Sequence, residues 1–319
     1  MNEHRMISLP APLFRDPIHD CPTDPTVIWS EEENQWYLFY TQRRADAPAI
    51  GVSWVHGTKI GVASSADGSK WLYRGTLEGL DIERGHNTFW APEIIRAEGA
   101  YHMYVSYITG IPTDWDYPRQ MLHYVSDNLW DWRFLGRIDL DSERVIDACV
   151  YEVEPGLYKM WYKDEQRDSR TFAAVSRDLH NWQVLGAEIT DCAQEGPNVF
   201  ELDGIPWMIS DYWNGLAVYR SEDFTHWTRC PDILRESGTR PMDVGFAHHA
   251  DVLVKDGNAY LFYFCHPFAR EADAAIEAAA EDMLTERDRN RAVVQAAQLK
   301  VQNKTLICDR NADVAWEMA

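Results

Sequence analysis

The sequence predicts an all-β chain folded as a five-bladed β-propeller, with one helical insertion in the last blade. Three observations predict it. Short runs beginning at Asp24 (DPTVIW), Ala91 (APEIIR), Asp147 (DACVYE), Gly196 (GPNVFE) and His249 (HADVLV) share a small residue or proline in second place and a β-branched residue in fourth. Behind each comes an aromatic strand: WYLFYT, YHMYVSY, YKMWYKD, PWMISDY and AYLFYFC. In the first four units a third strand then ends in a polar turn and a tryptophan, as in KIGVASSADGSKW and TFAAVSRDLHNW. Strand-period alternation recurring in the same order about every 50 residues marks radial blades rather than a sandwich.

The fifth unit departs from the rule. Its third strand, VVQAAQLKV, ends without the tryptophan, and Arg270 to Asn290 interrupts it ahead of that strand. That insertion is rich in Ala and Glu and predicts a helix, either a lid or an arm reaching into a second copy, so a homodimer is one expectation. "FRDP" at Phe14 to Pro17 precedes the first unit and is read as the segment that closes the ring. A ring closes as one unit, so residues 1–319 are expected to form a single domain with inner strands starting near 24, 91, 147, 196 and 249.

Composition narrows the function. The 319 residues are 45% hydrophobic and include 14 Trp, 15 Tyr and 11 Phe, which suits sheet packing and sugar stacking. A formal net charge of −21 argues against nucleic acid or an anionic membrane as partner. The N-terminal "MNEHRMISLP" has no apolar core of a secretory signal, no run is long enough to span a bilayer, and the six cysteines form no CxxC pair. A cytoplasmic setting with reduced thiols is the expectation.

In a propeller the heads of the inner strands and the loops between second and third strands share one face. Long irregular loops on a rigid face are where binding concentrates. Trp54, Trp115, Tyr117, Tyr212 and Trp213 in those loops are candidates to line a sugar-sized pocket. Asp24, Asp147 and Glu195 head the first, third and fourth inner strands, so the ring brings three carboxylates together. Crowded, partly buried carboxylates cannot all ionise normally, and one protonated and one ionised group is what glycoside hydrolysis needs. Trp90, heading the second strand, offers a stacking surface. Glu93, Trp115, Trp213, His248 and Arg240 complete the expected substrate-binding set.

The ordered motifs "TDPTVI", "WAPEI", "VIDACV" and "QEGPNVF" resemble the five-bladed glycoside hydrolases of family 43 and its relatives. "WNGLAVYRSEDFTHW" and "HHADVLV" in the last two units look nearer to family 117, the neoagarooligosaccharide hydrolases. The resemblance spans residues 15 to 310. It implies Asp24 as general base, Glu195 as general acid and Asp147 as the group that positions Glu195 and tunes its proton affinity, with inversion at the anomeric carbon. It also implies oligosaccharide substrates, cleaved from chain ends to release a sugar of the arabinofuranose, xylose, galactofuranose or anhydrogalactose type. Family 117 involves a histidine in acid catalysis, for which His86, His248 and His249 are open candidates. No cofactor is required, although relatives hold a divalent cation such as Ca²⁺ on the axis through a histidine at the place of His249. Two alternatives stand beside this reading. One is a glycoside phosphorylase, for which Arg43, Arg44, Arg119 and Arg240 would supply a phosphate site. The other is a sugar-binding propeller without catalysis.

Overall fold

Every predicted inner run becomes the innermost strand of a four-stranded antiparallel blade. The computed structural model describes residues 6–47, 50–268 and 285–317. The inner strands are Pro22–Ser30, Thr88–Ala97, Val145–Glu154, Glu195–Leu202 and His248–Lys255. Each pairs outward through a second, third and fourth strand in chain order, with no strand exchanged between blades. Of the expected helix over Arg270 to Asn290, Glu286–Asn290 is helical and opens on a capping box between Thr285 and Asp288. Residues 270–284 lie outside the described residues.

The repeated polar turn has a direct cause. Asp67, Asn128, Asp178 and Asp223 each accept two backbone N–H groups of their own turn through one side-chain oxygen, at 2.8–3.1 Å. The tryptophan that follows then folds back over the blade. Trp71, Trp132 and Trp182 donate their indole N–H to the turn's own carbonyls at Gly68, Leu129 and Leu179.

Because no strand is exchanged, the two ends of the chain close the ring. Met6–Ser8 pairs with Ala315–Glu317, and Phe14 bridges to Val294 in blade 5. Asp16 of the FRDP segment is buried and accepts from the Ile18 and His19 backbones, the Tyr40 hydroxyl and the Gln42 amide. It is a fastener and does not line the strand-head cavity. Trp316 lies against Gly68, where a Cβ would stand 1.5 Å from the indole and φ is +73°.

Apolar clusters fill the space between neighbouring blades. Phe39, Val62, Met103 and Leu122 sit between blades 1 and 2, and Trp207, Leu261 and Ala297 between blades 4 and 5. Each fully buried large side chain of this kind contributes about 1.5–3 kcal/mol.

Nearer the axis, polar side chains stitch blade to blade. The residue two places beyond each strand head is Thr26, Glu93, Cys149, Asn198 or Asp251, and each reaches to the next blade. Thr26 donates to the Pro92 carbonyl. Glu93 accepts the Val150 N–H at 2.7 Å and Cys149 the Val199 N–H at 3.2 Å. Asn198 donates to Asp251 at 3.0 Å, and Asp251 accepts the Val27 N–H at 2.8 Å. These five contacts run the whole way round the ring. Four of these bonds satisfy backbone groups on the unpaired edge of an inner strand, and each inner strand also carries a bulge beside its head.

Candidate active site

The same bulges aim the strand heads. Asp24 and Asp147 sit at φ +51° and +58°, a left-handed conformation costing of order 1–3 kcal/mol in a non-glycine residue. It turns both carboxylates toward the axis. In blade 4 the bulge residue is Gly196, whose missing Cβ leaves room for the His249 ring, 2.5 Å from where that atom would be. There the acid is carried one residue earlier, by Glu195.

Opposite the heads, across the first ladder, stand Thr41, Ser106, Lys163, Asp211 and Phe264. Three of them hold the head of the next blade. Thr41 accepts the Ala91 N–H at 2.8 Å, Ser106 the Asp147 N–H at 3.0 Å, and Asp211 the His249 N–H at 3.2 Å. In blade 3 the place belongs to Lys163. Its ammonium meets Glu195 Oε2 at 2.8 Å instead, and the Gly196 N–H turns to Asp147 Oδ2 at 3.1 Å.

Together these groups wall a cavity of about 590 Å³ on the strand-head face, lined by Asp24, Asp147 and Glu195, the indoles of Trp54, Trp90, Trp115 and Trp213, and the bases Arg43, Arg119, Arg144 and Lys163. Asp24 and Asp147 side chains are each 7% exposed and that of Glu195 is 26% exposed, so the acid is the most open of the three. Asp24 accepts the Thr23 hydroxyl at 2.9 Å and faces Arg43 at 3.7 Å. His249 Nδ1 lies between the two aspartates, 3.6 Å from Asp24 and 3.9 Å from Asp147.

The trio is electrically unequal. Burial pushes the Asp147 carboxyl up to about 7; Glu195 and Asp24 push the same way, while His249 opposes. Burial alone would also raise Glu195. The Lys163 ammonium, by charge and hydrogen bond, outweighs it and holds that carboxyl below its ordinary value. Of the three, Asp147 therefore keeps its proton to higher pH than Glu195, which is ion-paired with Lys163.

Aromatic groups form one wall. Trp90 is buried with its indole N–H on the Val55 carbonyl at 2.7 Å, and His56 packs between it and Trp115 and Tyr117. Trp115 and Trp213 are 54% and 45% exposed, and Trp213 donates its indole N–H to Glu195 Oε1 at 3.1 Å. Tyr117 and Tyr212 pack the loops through bonds to His56 and Asp232. His248 lines the cavity with Nδ1 on Asp211 at 3.0 Å, stacked on Phe264. His266 lines it too; burial, then His248, push it down to about 3, so it is neutral and donates Nδ1–H to the Arg291 carbonyl at 2.8 Å. His86 bonds the Gly57 carbonyl away from the cavity.

With the site in view, its likeness to solved proteins can be stated. No family model and no curated protein matches the sequence. A thermostable family-43 glycoside hydrolase superposes with a TM-score of 0.65 at 18% identity, over 92% of this chain and 95% of that one. An α-L-arabinofuranosidase from Lactobacillus brevis does so with a TM-score of 0.64 at 15% identity, over 93% and 97%. The Bombyx mori family 32 β-fructofuranosidase gives 0.66 at 14% identity, over 96% of this chain and 65% of its own. The chain has the fold of the family 43 glycoside hydrolases.

On that fold two expected substrate contacts are corrected. Glu93 lies outside the strand-head cavity, in the girdle two residues deeper, because its bulge neighbour Ala91 takes the head position. Burial and the Asp251 charge push it up to about 8. Arg240 is bound to Asp243, the Tyr263 hydroxyl and the Ala296 carbonyl, because blade 5 needs a cation for a buried aspartate. Arg44 is likewise tied to the His56 carbonyl and Arg119 to Glu165. Among the described residues no group of three His, Cys, Asp or Glu is arranged to hold a metal, His249 with its two aspartates included, so no step below runs through one. Lys163, Glu165 and Asp211 were missed. Aligning the ends of the second strands (YTQ, VSY, YKD, SDY, YFC) would have set Lys163 apart as the one cation in the middle column.

Proposed function

We propose that this protein is an inverting glycoside hydrolase that removes terminal sugars from oligosaccharides. The observation that carries the reading is the trio Asp24, Asp147 and Glu195, delivered by matched bulges of three blades into one cavity and unequal in proton affinity. The same left-handed backbone recurs at Ala91 and Gly196, so it belongs to the repeated bulge; what sets Asp24 and Asp147 apart is the carboxylate carried on it. The shared fold and the indole-rich wall support the same class.

Asp24 and Glu195 come from blades 1 and 4, which are not neighbours in the ring, and so approach a bound sugar from opposite sides. Asp24 takes a proton from a water as its oxygen attacks the anomeric carbon. Glu195 gives a proton to the leaving glycosidic oxygen as that C–O bond breaks. The product sugar has the opposite anomeric configuration. Asp147, bonded to the Gly196 N–H beside Glu195, stores the proton in the empty site. A phosphorylase would need free cations; Arg44 and Arg240 are bound away from the cavity, and Arg43 and Arg119, which line it, are paired with Asp24 and Glu165.

Terminal α-L-arabinofuranosides, β-xylosides, β-galactofuranosides and neoagaro-oligosaccharides form the test panel, with Asp24→Asn and Glu195→Gln run beside the wild type. Release of a monosaccharide, first seen by NMR as the inverted anomer and reduced roughly 10²–10⁴-fold by either substitution, is expected. Turnover that survives both changes contradicts the assignment. A sugar phosphate formed only with added phosphate points to the phosphorylase. Binding without turnover of any member points to the non-catalytic propeller.

A further inference from the structure

Glu195 must be protonated to act as an acid, yet in the empty cavity it is an ion-paired carboxylate. The structure holds the means to resolve this. Lys163 Nζ stands 2.8 Å from Glu195 and 3.0 Å from Glu165, a second carboxylate at the cavity wall. Glu165 is fixed in turn by Arg119 Nε at 2.9 Å, and Arg119 is anchored by the Tyr117 and Trp115 carbonyls. Charges alternate along Glu195, Lys163, Glu165 and Arg119. The Lys163 and Arg119 side chains are 5% and 2% exposed, so the row has little freedom except at its Glu195 end. The Trp213 ring lies 5.0 Å from the ammonium and gives it a path between its two partners.

We propose that Lys163 is a positioning residue for the acid: it holds Glu195 as an anion in the empty cavity and passes to Glu165 when a sugar oxygen takes its place. Glu195 then carries the proton that Asp147 held, with no net uptake by the trio. The remaining charged or titratable groups facing Glu195 are Asp147, His249 and Arg43, and Asp211 stands opposite it in the ladder. Arg43 and His249 also face carboxylates, Asp24 for the first and Asp24 and Asp147 for the second, but at 3.6–3.9 Å, whereas Lys163 meets both of its own within 3.0 Å.

The inference rests on the hydrolase reading for its purpose, but its test does not need turnover. The protein is labelled with 13C at glutamate side-chain carboxyls, and Glu195 is assigned by its loss in Glu195→Gln. Its titration is then followed in wild type, Lys163→Met and Glu165→Gln. Lys163→Met is expected to raise the Glu195 midpoint by roughly 1–3 pH units. Glu165→Gln is expected to lower it, because Lys163 then has one carboxylate instead of two. Opposite displacements are the electrostatic signature of an ammonium shared by the two carboxylates, and its movement is read separately from the pH limbs of turnover. Melting curves, with Lys163→Arg as the conservative control, separate misfolding from the effect. An unmoved midpoint in folded Lys163→Met, or shifts of both variants in one direction, overturns the proposal. Where a substrate is turned over, the Glu195 limb should lie at higher pH in kcat than in kcat/KM for wild type. In Lys163→Met the two should coincide. A gap that persists in that variant overturns the movement, while absence of turnover sinks only the hydrolase reading.

Discussion

At the cavity end of the axis, Asp24, Asp147 and Glu195 face open space, cations and one another. Two residues deeper than the strand heads, on the inner strands of the other two blades, Glu93 and Asp251 accept backbone N–H groups of the next blade. The chemical group is the same and the burial is similar, but the partners differ. Carboxylates in the girdle are held by fixed backbone donors, which gives them one task. Those at the heads are held mainly by side chains, an ammonium, a hydroxyl and a nearby imidazole, with one backbone N–H, that of Gly196, on Asp147. Burial makes a carboxylate unusual; what it is bonded to decides whether that serves stability or chemistry.

Substitutions at the two levels should therefore separate. Glu195→Gln and Asp24→Asn are expected to cost roughly 10²–10⁴ in kcat/KM with little change in unfolding. Glu93→Ala and Asp251→Ala should do the reverse. Each leaves a buried N–H without its acceptor and is expected to lose about 1–3 kcal/mol by urea denaturation, with kcat retained in the folded fraction. Comparable loss of activity at both levels would erase the distinction.

A subtler difference lies in pH. Glu93 is raised from 4.5 to about 8 in the folded state, so between those values it is protonated when folded and ionised when unfolded. The stability it lends is complete below pH 4.5 and is lost as pH rises through 8. Glu93→Gln, an uncharged isostere, should remove that slope, and its stability relative to wild type should grow from pH 5 to pH 8. A constant difference would mean that Glu93 titrates normally. The smallest effect is expected at the rim: Trp115→Ala should raise KM by the equivalent of about 0.5–1.5 kcal/mol and leave kcat alone.

Much of the head level could be read from the sequence, because Asp24 and Asp147 occupy matched places in a repeat, Glu195 stands one residue before that place, and the repeat itself encodes the ring. The four Ser-Asp-Trp turns were legible for the same reason, since one local hydrogen-bond pattern recurs in each. The girdle was not. Thr26, Glu93, Cys149, Asn198 and Asp251 share a register and a task but no chemistry, so no motif marks them, and Glu93 looked like a substrate contact. Lys163 escaped for a related reason: its role depends on Glu195 in the next blade, which a single strand does not record. Arg240 misled because a buried cation paired with Asp243 has the same sequence appearance as one facing a ligand.

The most direct test sets Glu195→Gln beside Glu93→Ala on the best glycoside of the panel, measuring kcat and melting midpoint on the same preparations. The account predicts that the first loses at least about 100-fold in kcat and melts within about 2–4 °C of wild type. The second should keep its kcat and melt lower. An active Glu195→Gln, or a Glu93→Ala that folds as stably as wild type and is inactive, would contradict the division of labour between the two rings.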